Sequence, residues 1–211
     1  MDEKIKDAAL VLVDIQNDFC PGGALAVDEG DQIVPVVNRL MPIFPLVIST
    51  YDWHPKNHIS FKERGGPWPP HCVQGTRGAE LHPEIDSDRI DMHLRKASTP
   101  DKDEYSEFAG FDEAGRTLDE VLKSENVKRV FVVGLATDYC VRATVLDGLK
   151  AGYDVYAVTD AMRAVNVNPD DGAKALEEMA RSGARLVTSD EVLQGGEMTR
   201  AASVIRPQNQ R

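Results

Sequence analysis

The sequence predicts an α/β protein: a three-layer α/β/α, doubly wound domain built on a mostly parallel sheet of about six strands. Three observations carry this expectation. Six short apolar runs stand out, several of them are continuous rather than alternating, and segments with helical spacing lie between them. A continuous apolar strand is one buried on both faces, as in a parallel sheet covered by helices on either side. Strands that alternate with amphipathic helices build that architecture.

In order, strands are expected at 8–13 (AALVLV), 45–50 (PLVIST), 89–94 (RIDMHL), 128–134 (KRVFVVG), 153–158 (YDVYAV) and 184–188 (ARLVT). A helix is expected from Asp31 to Phe44, where Ile33, Val36, Val37 and Leu40 share one face. Further helices are expected at 112–125, 139–151 and 170–182, and Gly110, Gly152 and Gly183 sit where helices or loops should end. The stretch from Asp52 to about Asp88 breaks the alternation and is rich in proline, glycine and histidine. A loop that long in a compact domain is usually functional or disordered, and its tryptophans and histidines favour function. The chain 1–211 reads as one domain, with a polar tail from about Gly195.

The bulk numbers exclude some function classes. A net charge of −11 argues against nucleic acid, because a phosphate binder needs a basic face. No apolar run approaches the ~20 residues of a membrane helix, so no membrane partner is expected. The charged N-terminus has no leader-like pattern, and three cysteines suggest no disulfide framework. A reducing cytoplasm fits best.

Candidate chemistry gathers at strand ends. In parallel sheets, ligands bind beyond the carboxyl ends of the strands. Asp14 ends the first strand, where a carboxylate could take a proton from a thiol and return it to a leaving amine. The bland alternative is a loop-capping aspartate, a duty Asp18 could fill instead. Lys96 ends the third strand and would hold Asp14 ionised and stabilise Cys140 as thiolate. An isolated lysine there is ordinarily solvated, so its weight comes from coinciding with Asp14 and Cys140. Cys140 follows the fourth strand in Gly134-Leu135-Ala136-Thr137-Asp138-Tyr139-Cys140. With Thr137 or Asp138 as N-cap it would lie in the first helical turn, where the thiol pKa should fall. The alternative is a small buried hydrophobe.

Asp52 and His54 are two apart and face one side of an extended segment, and His71 would return across the loop. One carboxylate oxygen and two imidazoles form a catalytic-type metal set, suited to Zn²⁺, Fe²⁺ or Mn²⁺. His58 is a further candidate and Glu63 a weaker one. Cys20 and Cys72 read as structural thiols, although Cys72 adjoins a proposed ligand.

Val13-Asp14-Ile15-Gln16-Asn17-Asp18-Phe19, Asp52-Trp53-His54-Pro55, Trp68-Pro69-Pro70-His71-Cys72-Val73-Gln74-Gly75-Thr76 and Gly134 to Val141 together resemble the signatures of the nicotinamidase/pyrazinamidase family, within the isochorismatase-like cysteine hydrolases. The resemblance covers roughly residues 8 to 190. It implies hydrolysis of nicotinamide to nicotinate and ammonia through a cysteine thioester, with pyrazinamide as a further substrate and a place in NAD salvage. It implies Cys140 as nucleophile, Asp14 as base and then acid, and Lys96 as supporting cation. It also implies a cis Leu135–Ala136 peptide that aims the Ala136 and Cys140 N–H groups at the oxyanion. Asp52, His54 and His71 match the ligands of one divalent ion, Zn²⁺ first among the candidates, which would orient the pyridine ring. Phe19 and Trp68 match the aromatic walls, with Tyr105 and Tyr139 as additional lining. The oligomeric state is left open.

Two rivals are weaker. Other amide hydrolases of the superfamily share the Asp, Lys and Cys but generally lack the metal set. A receiver-like signalling module also places aspartates and a lysine at strand ends, but gives no role to His54, His71 or Cys140.

Overall fold

The computed structural model describes residues 5–195; the expected polar tail lies outside them except at its start. Six strands form one sheet: β1 (Ala8–Val13), β2 (Leu46–Asp52), β3 (Met92–Lys96), β4 (Arg129–Leu135), β5 (Asp154–Arg163) and β6 (Arg185–Val187). Their order is β3-β2-β1-β4-β5-β6 and every pairing is parallel. Side chains alternate along a strand, so β1 feeds both faces of the sheet. Leu10 and Leu12 pack with Val34, Val37 and Leu40 of α1 (Val34–Leu40) and with Val192 of α5 (Ser189–Leu193). Ala9, Val11 and Val13 pack on the opposite side with α2 (Leu118–Ser124), α3 (Arg142–Lys150) and α4 (Asp171–Arg181). The three layers expected from the continuous apolar runs are therefore present.

The element boundaries differ from expectation for local reasons. The Asp31–Phe44 helix is broken into a 3₁₀ turn, α1 and a second 3₁₀ turn, with Pro35 and Pro42 near the starts of the last two. Residues 112–116 are a turn rather than helix, because the Asp112 carboxylate accepts from the Ala114 and Arg116 N–H groups. Only then does α2 begin, with Thr117 and Glu120 closing a capping box. β5 runs on to Arg163 after a register shift opposite Val132 and Gly134. β2 extends to Asp52, and β3 starts at Met92 and ends at Lys96, so these two residues pair directly. α5 was not expected at all.

Because the strands are parallel, Asp14, Asp52, Lys96 and Ala136 all emerge at one edge. The chain's order reverses between β1 and β4, which is where an open α/β sheet offers a crevice. Gly134, in this crevice, has φ +119°, and an added Cβ would sit 2.1 Å from the Val13 carbonyl oxygen. We expect Gly134→Ala to cost about 3 kcal/mol through strain and overpacking, read as a lowered urea midpoint with unchanged slope.

Candidate active site

Five buried titratable groups, Asp14, Asp52, Lys96, Glu107 and Cys140, meet at this edge. Lys96 Nζ donates to Asp14 Oδ2 at 2.8 Å and to Asp52 Oδ1, and lies 3.6 Å from Cys140 Sγ. It is also 3.5 Å from Glu107 Oε1. Asp14, Asp52 and Cys140 each offer an atom within 4.8 Å of the others. Asp14, Lys96 and Glu107 are essentially inaccessible to solvent. The cluster is held in place by the strand ends, and Asp14 itself turns the chain with a left-handed φ of 47°. Asp52 is fixed through its backbone, whose N–H donates to Gln16 Oε1 while the Gln16 amide donates to the Asp52 carbonyl.

Burial governs the protonation of these groups. Burial pushes the Asp14 carboxyl above its ordinary range against the opposing pull of Lys96. Burial acts the same way on Asp52, but Lys96, with His54 and His71, holds that carboxylate well below the usual range. Burial disfavours the Lys96 ammonium, yet Asp14 and Asp52 hold it well above its ordinary value. The Cys140 thiol is pushed well up by burial, with Lys96 pulling the other way and the three carboxylates adding to the rise. The expected fall in thiol pKa is thus reversed. Its setting differs too: Cys140 lies in a π turn, Thr137–Val141, ahead of α3. Neither Thr137 nor Asp138 caps it; the N-cap is Ala136, without a side-chain bond. The Asp138 carboxylate instead accepts from the Val165 and Asn166 N–H groups at 2.9 Å.

Asp52 also faces a second cluster. Its Oδ2 lies 3.3 Å from His54 Nε2 and 4.0 Å from His71 Nε2. The long loop makes this convergence possible by folding back on itself: His54 N–H donates to the Cys72 carbonyl, and Gln74 N–H to that of His54. Each imidazole is oriented from behind. His71 Nδ1 donates to the Pro69 carbonyl at 2.7 Å, and His54 Nδ1 to that of Ala97 at 3.3 Å. Both Nε2 atoms are left to point at the carboxylate, the arrangement metal-ligating histidines adopt. Burial, chiefly, lowers the His71 pKa and keeps the ring neutral, as a ligand must be. One carboxylate oxygen and two imidazole nitrogens within 4.8 Å of one another suit a divalent cation.

His58 stacks on His54 with ring centroids 4.0 Å apart, but both its nitrogens are engaged, by Ser60 Oγ and by the Lys102 carbonyl. Glu63 is exposed. Cys20 and Cys72 are buried free thiols, and among the described residues neither joins a candidate metal group. Asp18 does cap a loop, accepting from Ala24 N–H at 3.1 Å and from Cys72 N–H at 2.7 Å. Removing it strands the Cys72 N–H beside His71. We expect Asp18→Ala to cost about 2 kcal/mol in chemical denaturation.

The two clusters share one cleft with about 450 Å³ of empty space, open mouth included. Phe19, Trp68, Tyr105 and Tyr139 all line it, as do Ala136 and Cys140. Trp68 stands edge-on to Tyr139 at 5.1 Å and its indole N–H donates to Tyr105 Oη at 3.2 Å. The Leu135–Ala136 peptide is cis. Sequence reasoning missed Leu25, Val165 and Glu104 in the lining, and Glu107 beneath it.

A sheet of this order, a thiol beside an acid and an ammonium, and a metal-type donor set in one cleft together define a class of α/β hydrolase. The chain belongs to the isochorismatase family, whose domain matches residues 8–191. It is 45% identical to a nicotinamidase of Escherichia coli, over 85% of this chain and 94% of that protein. It is similar in structure to a pyrazinamidase of Pyrococcus horikoshii in complex with zinc, with a TM-score of 0.78, 48% identity, and coverage of 86% of this chain and 99% of that one. It is also similar to PnC1 of L. infantum in complex with nicotinate, with a TM-score of 0.82, 36% identity, and coverage of 90% and 98%. Among the described residues no helix is long and apolar enough to cross a membrane.

Proposed function

We propose that the protein is a nicotinamidase: it hydrolyses nicotinamide to nicotinate and ammonia, and accepts pyrazinamide. The observation that carries this reading is a single aromatic-walled cleft lined by Cys140 and by the Asp52, His54 and His71 donors, with Lys96 behind it joining Asp14, Asp52 and Cys140. The nicotinamidase and pyrazinamidase relatives support it.

In the proposed cycle Asp14 takes the Cys140 proton as sulfur adds to the carboxamide carbon. The carbonyl π pair moves to oxygen, where the Ala136 and Cys140 N–H groups receive it. Collapse of this adduct breaks the C–N bond, and Asp14 returns its proton to the departing ammonia. A water then adds to the thioester carbon and gives a proton to Asp14. Breaking the C–S bond yields nicotinic acid, which ionises to nicotinate by losing its proton to water or to the ammonia, and Asp14 returns its proton to the sulfur. A raised Asp14 pKa suits this reading, since burial makes the carboxylate a stronger base toward a thiol whose own pKa burial raises. Lys96 anchors Asp14 and offsets charge on sulfur. Phe19 and Trp68 hold the ring, with Tyr105 and Tyr139 completing the wall. A divalent cation, zinc first, held by Asp52, His54 and His71 supplies an electrophilic anchor for the heteroaromatic ring. The chain 1–211 acts as one hydrolase domain.

The test is ammonia release from nicotinamide and pyrazinamide, with metal analysis of the same sample. About one divalent ion per chain is expected. Stripping it with a chelator should lower kcat/KM by at least about tenfold, and zinc should restore it. Full turnover in a preparation verified to be metal-free would remove the cation from this account.

A further inference from the structure

Glu107 has no part in the cycle just described, yet it lies against the group that organises it. It begins the short 3₁₀ turn Glu107–Ala109 and is wholly buried. Its backbone N–H donates to Thr144 Oγ1 at 3.0 Å, which ties the turn to α3, the helix that follows Cys140. Among the described residues neither of its carboxyl oxygens has a hydrogen-bond partner. The Thr50 hydroxyl beside it donates to the Leu12 carbonyl instead. A carboxyl group left this way is destabilising, and an apolar side chain of similar volume would avoid that cost.

Lys96 shows what the oxygen is near. An ammonium has three N–H donors. Two of them go to Asp14 Oδ2 and Asp52 Oδ1. The third goes to Cys140 Sγ at 3.6 Å, an ordinary range for sulfur, while Glu107 Oε1 waits at 3.5 Å, just outside hydrogen-bond contact. Sulfur is the poorer acceptor and is lost to the ammonium once it bonds to substrate, and the Glu107 oxygen is then the nearest acceptor left for that N–H.

We propose that Glu107 is a positioning residue for the hydrolysis, its carboxyl oxygen holding Lys96 Nζ in register with Asp14 and Cys140. This rests on the reading of Asp14, Lys96 and Cys140 as the reacting set. Glu107 works as an acceptor and not as a base: it is wholly buried and does not line the cleft, so it meets no substrate; burial, with Asp14 next to it, also pushes its carboxyl well above the ordinary range. A neutral amide of the same length should therefore do most of its work.

The experiment compares zinc-loaded Glu107→Met and Glu107→Gln with the unaltered enzyme by steady-state ammonia release, metal content and thermal unfolding. Methionine fills the volume without an acceptor, and removing the unpartnered acid should leave Tm unchanged or higher. We expect Glu107→Met to lower kcat by about 10- to 100-fold with KM within about twofold and metal content retained. Glu107→Gln should recover most of that loss, to within about threefold. A folded, metal-loaded Glu107→Met enzyme with normal kcat would overturn the inference, because a merely structural acid has no reason to act on kcat alone. Glu107→Gln as slow as Glu107→Met would overturn the acceptor role in favour of charge. If the unaltered enzyme releases no ammonia from nicotinamide, the substrate reading fails separately; the Glu107 ratios are then measured on whichever amide it does hydrolyse.

Discussion

Cys140→Ala should release no ammonia above background, a loss of at least about 10⁴-fold in kcat, while remaining folded and metal-loaded. The side chain is small and buried, and alanine leaves only a sulfur-sized gap. The metal donors are retained: Cys140 groups with Asp14, Asp52 and Lys96 and not with the histidines, and Asp52 keeps its bond from Lys96. Calorimetry with nicotinate would show that ring binding survives. The outcome that sinks the nucleophile assignment is residual turnover within a hundredfold of the unaltered enzyme. Cys140→Ser is a companion variant: it preserves the shape but offers a poorer nucleophile, and should be nearly as inactive.

The second large effect belongs to Lys96. Lys96→Met keeps the length of the side chain but deletes the cation that faces Asp14, Asp52 and Glu107. Breaking a buried pair from one side leaves the other charge uncompensated, worth about 3–5 kcal/mol. We therefore expect a steep fall in the urea midpoint together with loss of turnover. The two effects can be told apart by adding zinc, which should recover part of the stability through Asp52 and none of the activity. A variant as stable as the parent would mean that the carboxyl groups take up protons at little cost and that the ammonium is no keystone of the fold.

Much of this could be read from sequence because strand ends are legible. A continuous apolar run gives the strand, a parallel sheet puts all carboxyl ends at one edge, and the first polar residue after each run becomes a candidate. Asp14 follows its run directly and Cys140 lies just beyond a strand; Lys96 comes one place after Arg95 and gains its weight from coinciding with those two. Asp52 and His54 came from alternation in an extended segment. What failed depends on tertiary burial. Glu107 sits in a loop, with no periodicity to mark it as interior; its only local hint is a position between Ser106 and Phe108 rather than in the charged run 101–104. The direction of the Cys140 shift likewise turns on how completely the thiol is enclosed, which no spacing rule reports. Helix limits slipped where a side chain competed with the backbone, as Asp112 does for the Ala114 and Arg116 N–H groups.

The two oxygens of Asp52 look in opposite directions, one toward Lys96 and one toward His54 and His71. A mutagenesis campaign cannot treat this residue as belonging to one half of the machinery. Loss of turnover in an Asp52 variant is uninterpretable alone, since cation retention and ammonium placement vanish in the same stroke. Genetic dissection has to start from the histidines on one flank and from Asp14 on the other, using Asp52 only as the double-mutant corner that measures how tightly the halves are wired together.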